Sequence, residues 1–321
     1  MAVAASHPRN GKIAFSPFLG RPPDGVAYKT KMGRMFHGLS DVLLHTEALK
    51  RYRGAVDLIF TSPPFPLNRK KRYGNLNGES YMEWLSAYGP ILKQMLRPGG
   101  SIVMELGNAW EQGSPVMSTL PLRSLLKFQQ DNELFLCQEF VWQNPAKLPS
   151  PAQWVNVERI RLKDSFTRLW WLSPTAKPKA DNRRVLKEYS LAMKTLLSDG
   201  KYNSGKRPSQ HNIGEKSFLK NNGGAIPGSV LTYANTQATD DYQAYCRAHG
   251  VEQHPARMPI ELADFFIKLL TEPGDLVLDP FAGTNTTGAA AEALGRYWIG
   301  IEAERKYVVG SKGRFQGNLL H

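Results

Sequence analysis

The stretch DLVLDPFAGTNTTGAAAEALGRYWIGIE, residues 275–302, reads as a strand, a loop of small residues, a helix and a second strand. The apolar run in DLVLDPF is short and ends at a proline, which suits a buried strand rather than a helix. Alanines carry TTGAAAEALG as a helix, and its closing glycine is a stop signal. YWIGIE is again rich in β-formers and ends in an acid, Glu302. Such a unit belongs to a parallel sheet covered by helices on both faces. Its loop follows the carboxyl end of the first strand, at Asp279, and the small residues Ala282, Gly283 and Thr284 let a ligand approach the backbone. Glu302, at the end of the next strand, is placed to accept both hydroxyls of a ribose. No GxGxxG is present, so a dinucleotide held by its diphosphate fits poorly and a plain nucleoside fits better. An ordinary turn with an incidental acid is the competing reading.

The same alternation extends outward. ELADFFIKLLTEPGD is a helix stopped by Pro-Gly, VDLIF at 56–60 and SIVMEL at 101–106 are buried strands, and RPGG at 97–100 stops an amphipathic helix from about Tyr81 to Leu96. Further strands are expected at Arg34–His37, Leu136–Trp142 and LWWL at 169–172, where Trp170 and Trp171 read as core packing. A helix is expected near Pro121–Asn132, and LSDVLLHTEALKRY is helix-like. Residues 1–33, rich in Pro and Gly, read as an irregular N-terminal arm; 34–174 form one half of an α/β domain and 251–321 the other. Between them, 175–250 is basic and rich in Gly, Asn and Ser, with helical hints only at Val185–Leu197 and Asp240–His249, and so reads as an insertion.

Charge narrows the partners. Lys and Arg number 41 against 28 Asp and Glu, a formal net charge of +13. That excess favours a polyanion, because basic side chains release condensed counterions when they meet phosphates. It is also clustered: Arg69, Lys70, Lys71 and Arg72 in RKKR, Arg183 and Arg184 ending a basic stretch from Lys177, and Lys206 and Arg207 in KRPSQH. No apolar stretch reaches the ~20 residues of a membrane span, and no secretory signal is read. Two cysteines, Cys137 and Cys246, make neither a disulfide framework nor a metal cluster, so a reducing, cytoplasmic compartment of a bacterial or archaeal cell is expected.

The strand at 56–61 ends in TSPPF, 61–65. Two prolines remove backbone donors and fix φ, which suits a plain turn and equally a site that presents a hydroxyl, carbonyls and a ring without moving. TSPPF and DPFAGTNTT, joined to HPARMP at 254–259, resemble the amino-methylating DNA methyltransferases of the permuted β class. The likeness is closest to the cytosine-N4-specific modification methylases of the PvuII type. It extends through NPAKLPSPAQWVN at 144–156, RPSQHNIGEKSF at 207–218 and NNGGAIP at 221–227, and spans roughly residues 50 to 310.

The resemblance implies a Rossmann-like, circularly permuted methyltransferase fold, with a mostly parallel seven-stranded sheet and a target-recognition region at 175–250. It implies S-adenosylmethionine as methyl donor, double-stranded DNA as partner and direct in-line transfer to an extruded base. An exocyclic amine is a poor nucleophile, and acceptors for its N–H groups localise its lone pair. By resemblance Ser62 Oγ and the Pro63 carbonyl are those acceptors, Pro64 stiffens them and Phe65 stacks on the base. Asp279, Phe281, Gly283 and Thr284 would line the cofactor, Glu302 would hold the ribose, and Pro255, Ala256 and Pro259 would close over the methionine portion. His254 is expected to order that turn. Asn285 stands where the family has glycine, and asparagine tolerates left-handed φ well. Leu39 replaces a family aspartate, so no ligand contact is expected there. C5 methylation is excluded, because neither cysteine follows a proline. The Ser-Pro-Pro-Phe form favours cytosine N4; adenine N6 is the alternative, and an inactive basic DNA-binding protein is a third reading. A homodimer and a cognate restriction endonuclease are further expectations.

Overall fold

The computed structural model describes residues 25–64, 78–214, 218–235 and 240–320. In chain order it contains β1 (Val26–Thr30), β2 (Gly33–His37), β3 (Val56–Thr61), α1 (Gly78–Ala87), α2 (Gly89–Met95), β4 (Leu96–Leu106), α3 (Leu120–Asp131), β5 (Phe135–Gln143) and β6 (Phe166–Ser173). There follow α4 (Leu191–Asp199), β7 (Val230–Thr232), α5 (Asp241–Ala248), α6 (Ile260–Leu270), β8 (Leu276–Asp279), α7 (Thr286–Ala293), β9 (Tyr297–Glu302), α8 (Arg305–Ser311) and β10 (Leu319–Leu320). One ten-stranded sheet runs in the order β7-β5-β6-β4-β3-β8-β9-β2-β1-β10. From β4 through β2 all neighbours are parallel, whereas β6 lies antiparallel between β5 and β4. Among the described residues, no helix is long and apolar enough to cross a membrane.

The expected seven strands form the middle of this sheet, and three short ones extend its edges. One of these corrects the expectation of an irregular arm: Val26–Thr30 is a strand antiparallel to β2. Its two buried residues, Tyr28 and Thr30, are two apart, as a half-covered edge requires. The basic insertion also proves to be divided. Val230–Thr232 joins the sheet beside β5, and α5 packs against the turn at Lys312–Phe315.

Side chains alternate across the central strands and fill two layers. Ile59, Ile102, Leu278 and Ile299 face α1, α2 and α3, while Leu58, Phe60, Val103 and Val277 face α6 and α7. Trp170 lies in the first layer and is buried. Phe266 holds the second together: fully buried, it stacks on Phe60 at 5.5 Å and meets Phe140 edge-on at 5.0 Å.

Parallel strands give the sheet two chemically different edges. At the amino edge, Asp57 accepts from Arg97 Nη1 at 3.0 Å and from the Leu276 N–H at 3.0 Å. Lys179 joins it, paired with Asp275 and 3.6 Å from Asp57. Thr61 lies five steps along β3 from Val56, roughly 17 Å away at the carboxyl edge.

Phe266→Ala should remove about 3–5 kcal/mol of stability, the usual cost of truncating a fully packed phenylalanine. Denaturant unfolding followed by tryptophan fluorescence would show it as a lower midpoint at unchanged slope.

Candidate active site

The carboxyl edge gathers the residues that the sequence singled out. Asp279 ends β8, is 6% exposed and accepts three hydrogen bonds: from Thr61 Oγ1 at 2.8 Å, Thr287 Oγ1 at 2.7 Å and the Phe281 N–H at 3.1 Å. Burial pushes its carboxyl up to about 6, against the pull of those donors. Asp279 thus ties the end of β3 to the loop and helix after β8, and three protein donors fill most of a carboxylate's acceptor capacity. It acts as a clasp for the loop.

Asn285 N-caps α7 in the left-handed conformation, φ 54° and ψ 42°, as its chemistry suggested. Its Oδ1 accepts the Gly288 N–H at 3.1 Å, and its Nδ2 donates to Tyr28 Oη at 3.0 Å. A Cβ at Gly288 would lie 2.3 Å from that Oδ1, so the cap requires glycine there. Thr284 is turned inward against Thr286 at 3.1 Å, and Arg314 donates to its carbonyl at 2.8 Å. Thr284 therefore shapes the loop from within.

Glu302, at the end of β9, faces this loop. One carboxylate oxygen accepts the Gly283 N–H at 2.8 Å and the other the Glu304 N–H at 2.8 Å. Each oxygen keeps a lone pair, an arrangement suited to a vicinal diol. Burial raises this carboxyl above the ordinary glutamate range. Beside it, half-buried Phe281 meets Trp84 and Tyr88 with ring centroids 5.7 and 5.2 Å apart, a wall suited to a flat heterocycle. The 254–259 turn closes the other side. His254 orders it, as expected: its N–H donates to Tyr242 Oη at 2.8 Å, its Nδ1 is hydrogen-bonded to the Ala256 backbone, and its ring meets Tyr307 at 4.3 Å. Pro255 and Ala256 are exposed, while Pro259 is the N-cap of α6. A nucleoside with a short charged tail, the chemistry of S-adenosylmethionine, fits this donor set.

At the end of β3, the half-buried Ser62 Oγ donates to Glu105 Oε2 at 2.6 Å. The register explains the meeting, because Thr61 pairs with Met104 across the parallel strands and the next residues are Ser62 and Glu105. With its proton committed to Glu105, Ser62 presents oxygen lone pairs to anything else that approaches. Glu105 is 5% exposed, and burial raises its carboxyl above the ordinary range. Pro63 is buried and Pro64 exposed; Phe65 lies outside the described residues, as do Arg69, Lys70, Lys71 and Arg72.

The other basic residues separate. Arg184 is a correction: it donates to the Thr271 carbonyl at 2.9 Å and to Glu272 at 3.3 Å, closing the end of α6 beside the amino-edge network. Charge density in sequence does not report which edge a residue serves. Arg183 is exposed but forked onto Asp181 at 2.9 and 2.7 Å, which holds that carboxyl down at about 2. Lys206 and Arg207 lie at a small hairpin, Gly205–Lys206 against Asn212–Ile213, with Lys206 exposed.

Sequence reading missed Glu105, Trp84, Tyr88 and Arg314. A charged residue inside the apolar run SIVMEL marks the first, and the 81, 84, 85, 88 spacing marks the aromatic stripe. Arg314 carried no local signal.

A family model described as DNA methylase, of the N6/N4 kind, matches residues 56–312. The type II methyltransferase M.PvuII of Proteus hauseri is 43% identical over 294 residues, covering 91% of this chain and 86% of that one. The type II methyltransferase M.BglII of Bacillus subtilis is 27% identical over 254 residues, 79% of this chain and 62% of that one. The solved structure of the PvuII DNA methyltransferase, cytosine-N4-specific, is similar with a TM-score of 0.73 and 37% identity, over 91% of this chain and 89% of that one.

The raised carboxyl of Asp279 makes a signed prediction. The folded state binds this proton more tightly than the unfolded chain does, so ionised Asp279 opposes folding above about pH 6. As pH falls from about 6 to about 4, the wild type should gain stability relative to Asp279→Asn, by on the order of 2 kcal/mol. Urea unfolding of both proteins across that range would measure it, and parallel pH profiles would contradict it.

Proposed function

The chain belongs to the N6/N4 DNA methylase family, and from that premise we propose that it transfers a methyl group from S-adenosylmethionine to the N4 amine of cytosine at a specific site in double-stranded DNA. The observation that carries the reading is the Ser62–Glu105 hydrogen bond of 2.6 Å, next to the loop clasped by Asp279. The likeness to a cytosine-N4-specific enzyme at 37% identity supports the choice of base.

Bound S-adenosylmethionine supplies an electrophilic methyl on a sulfonium. Glu302 binds the ribose diol through its two open lone pairs, Phe281 with Trp84 and Tyr88 receives the adenine, and Gly283 lets the ligand reach the backbone. Pro255, Ala256 and Pro259 border the methionine end. Asp279 and Thr284 shape the loop from behind.

The amine of an extruded cytosine meets two fixed acceptors, Ser62 Oγ and the Pro63 carbonyl, which draw its lone pair out of the ring conjugation. Phe65 stacks on the base. As the nitrogen gains its methyl group it must lose a proton. Ser62 Oγ takes that proton and passes its own to Glu105 Oε2. Burial favours the neutral form of Glu105, which makes it a ready recipient. Pro63 and Pro64 remove the freedom the acceptors would otherwise lose on binding.

For DNA, the RKKR run with Lys206 and Arg207 supplies phosphate contacts, Arg183 joins them after giving up Asp181, and residues 186–229 read the target sequence. A homodimer is the expected assembly. A cognate restriction endonuclease would share the recognition sequence without needing to touch this chain.

Ser62→Ala should lower the single-turnover methylation rate by ~10²–10³, the usual cost of losing one oriented partner of the developing charge. Its affinities for cofactor and DNA should stay near wild type. Nucleoside mass spectrometry of DNA treated with the wild type should show N4-methylcytosine. N6-methyladenine instead would overturn the choice of base, and a wild-type rate in Ser62→Ala would overturn the role of the serine.

A further inference from the structure

Because β6 runs antiparallel to β4 and to β5, the connection between β5 and β6, residues 144–165, rises from the same edge as Thr61, Glu105 and Asp279. This strap is pinned at its feet. The Asn144 N–H donates to the Ser165 carbonyl at 2.8 Å, and Lys147 pairs with Asp164 at 2.8 Å. Asn108, just past β4, donates to Asp164 at 2.7 Å. The strap carries four basic residues, Lys147, Arg159, Arg161 and Lys163, against two acids, Glu158 and Asp164.

Arg161 differs from the other partly covered arginines. Arg184, Arg296 and Arg314 each donate to a carbonyl or a carboxylate. The Arg161 guanidinium instead lies over Trp110, its Cζ 3.3 Å from the ring centroid, and its buried Nη1 has no hydrogen-bond partner among the described residues. Trp110 belongs to a small hairpin, Ala109–Trp110 against Met117–Ser118, that directly follows β4. The ring contact holds the guanidinium in place and leaves its hydrogen-bonding capacity unspent. Next to it, Leu162 is 90% exposed, so the segment opens to solvent.

A pre-oriented fork of N–H donors with no acceptor suits an oxyanion, and phosphate matches its geometry in two directions at once. A duplex that delivers a base to Ser62 must cross the edge from which the strap rises, bringing the phosphates that flank the target over it. We propose that Arg161, held over the Trp110 ring, binds a backbone phosphate beside the target base. This rests on the DNA methylase reading and adds to it a contact outside the basic runs at 69–72 and 206–207.

The test is fluorescence anisotropy with a labelled duplex of mixed sequence, across a salt series, for the wild type, Arg161→Gln and Arg161→Lys. For Arg161→Gln the slope of log affinity against log salt should be smaller by about one, with the same fractional loss on every sequence tried. Arg161→Lys, which keeps the charge, should recover the slope. Melting temperature and S-adenosylmethionine affinity should be unchanged in both variants. An Arg161→Gln slope equal to wild type overturns the proposal, whether or not affinity falls. A lower melting temperature at unchanged slope would make Arg161 a packing residue and overturns it too. A wild type that binds no DNA would bring down the parent reading as well, so the two failures are told apart.

Discussion

Everything at the carboxyl edge depends on which donors one buried carboxylate accepts. Asp279 takes one from Thr61, the last residue before the Ser-Pro-Pro turn, and two from the loop and helix that follow its own strand. Those segments lie 218 positions apart in sequence at the Thr61–Asp279 contact, yet a methyl donor and its acceptor must meet within reacting distance. A hydrogen bond to a charged group in a dry environment is among the stronger links available to a protein. Its cost appears as the raised carboxyl of Asp279, which burial alone would raise further.

Around this clasp the molecule divides its labour by strand direction. The carboxyl edge holds Ser62 with Glu105, Glu302 with the loop it faces, and the strap. The amino edge holds an ion network of Asp57, Asp275, Arg97 and Lys179 that fixes the strands at their other ends. The strands β3, β4 and β8 carry both sets, so a shift in register at one edge would be felt at the other. Glu105 illustrates the economy of the parallel arrangement. It reaches Ser62 because adjacent parallel strands bring their next residues side by side, and no loop has to be positioned for the purpose.

Where a function depends on local backbone chemistry, it was readable in the sequence. The small-residue loop, the left-handed tolerance of Asn285, the stiff Ser-Pro-Pro and the ordering role of His254 all express constraints carried by a few neighbouring residues. What depended on which strands lie side by side was not readable. Glu105 looked like one acid in an apolar strand until β4 was placed next to β3. Arg314 reaches Thr284 across 30 positions, and no pattern announces it. The run from Lys177 to Arg184 looked like a phosphate-binding surface, but Lys179 and Arg184 are spent on Asp275 and on the end of α6. Val26–Thr30 was hidden for a different reason: flanking prolines and glycines masked a short alternating strand.

The Thr61–Asp279 hydrogen bond holds the Ser-Pro-Pro turn in place relative to the loop that follows β8. A double-mutant cycle with Thr61→Val and Asp279→Asn, read on the single-turnover methylation rate at saturating cofactor and DNA, tests it directly. Thr61→Val should slow the reaction by on the order of 10–100-fold, the equivalent of roughly 1.5–3 kcal/mol for a hydrogen bond to a charged group. Thr61→Val should cost little further in the Asp279→Asn background, where the bond is already weakened. Full additivity of the two effects, or a wild-type rate in Thr61→Val, would contradict it.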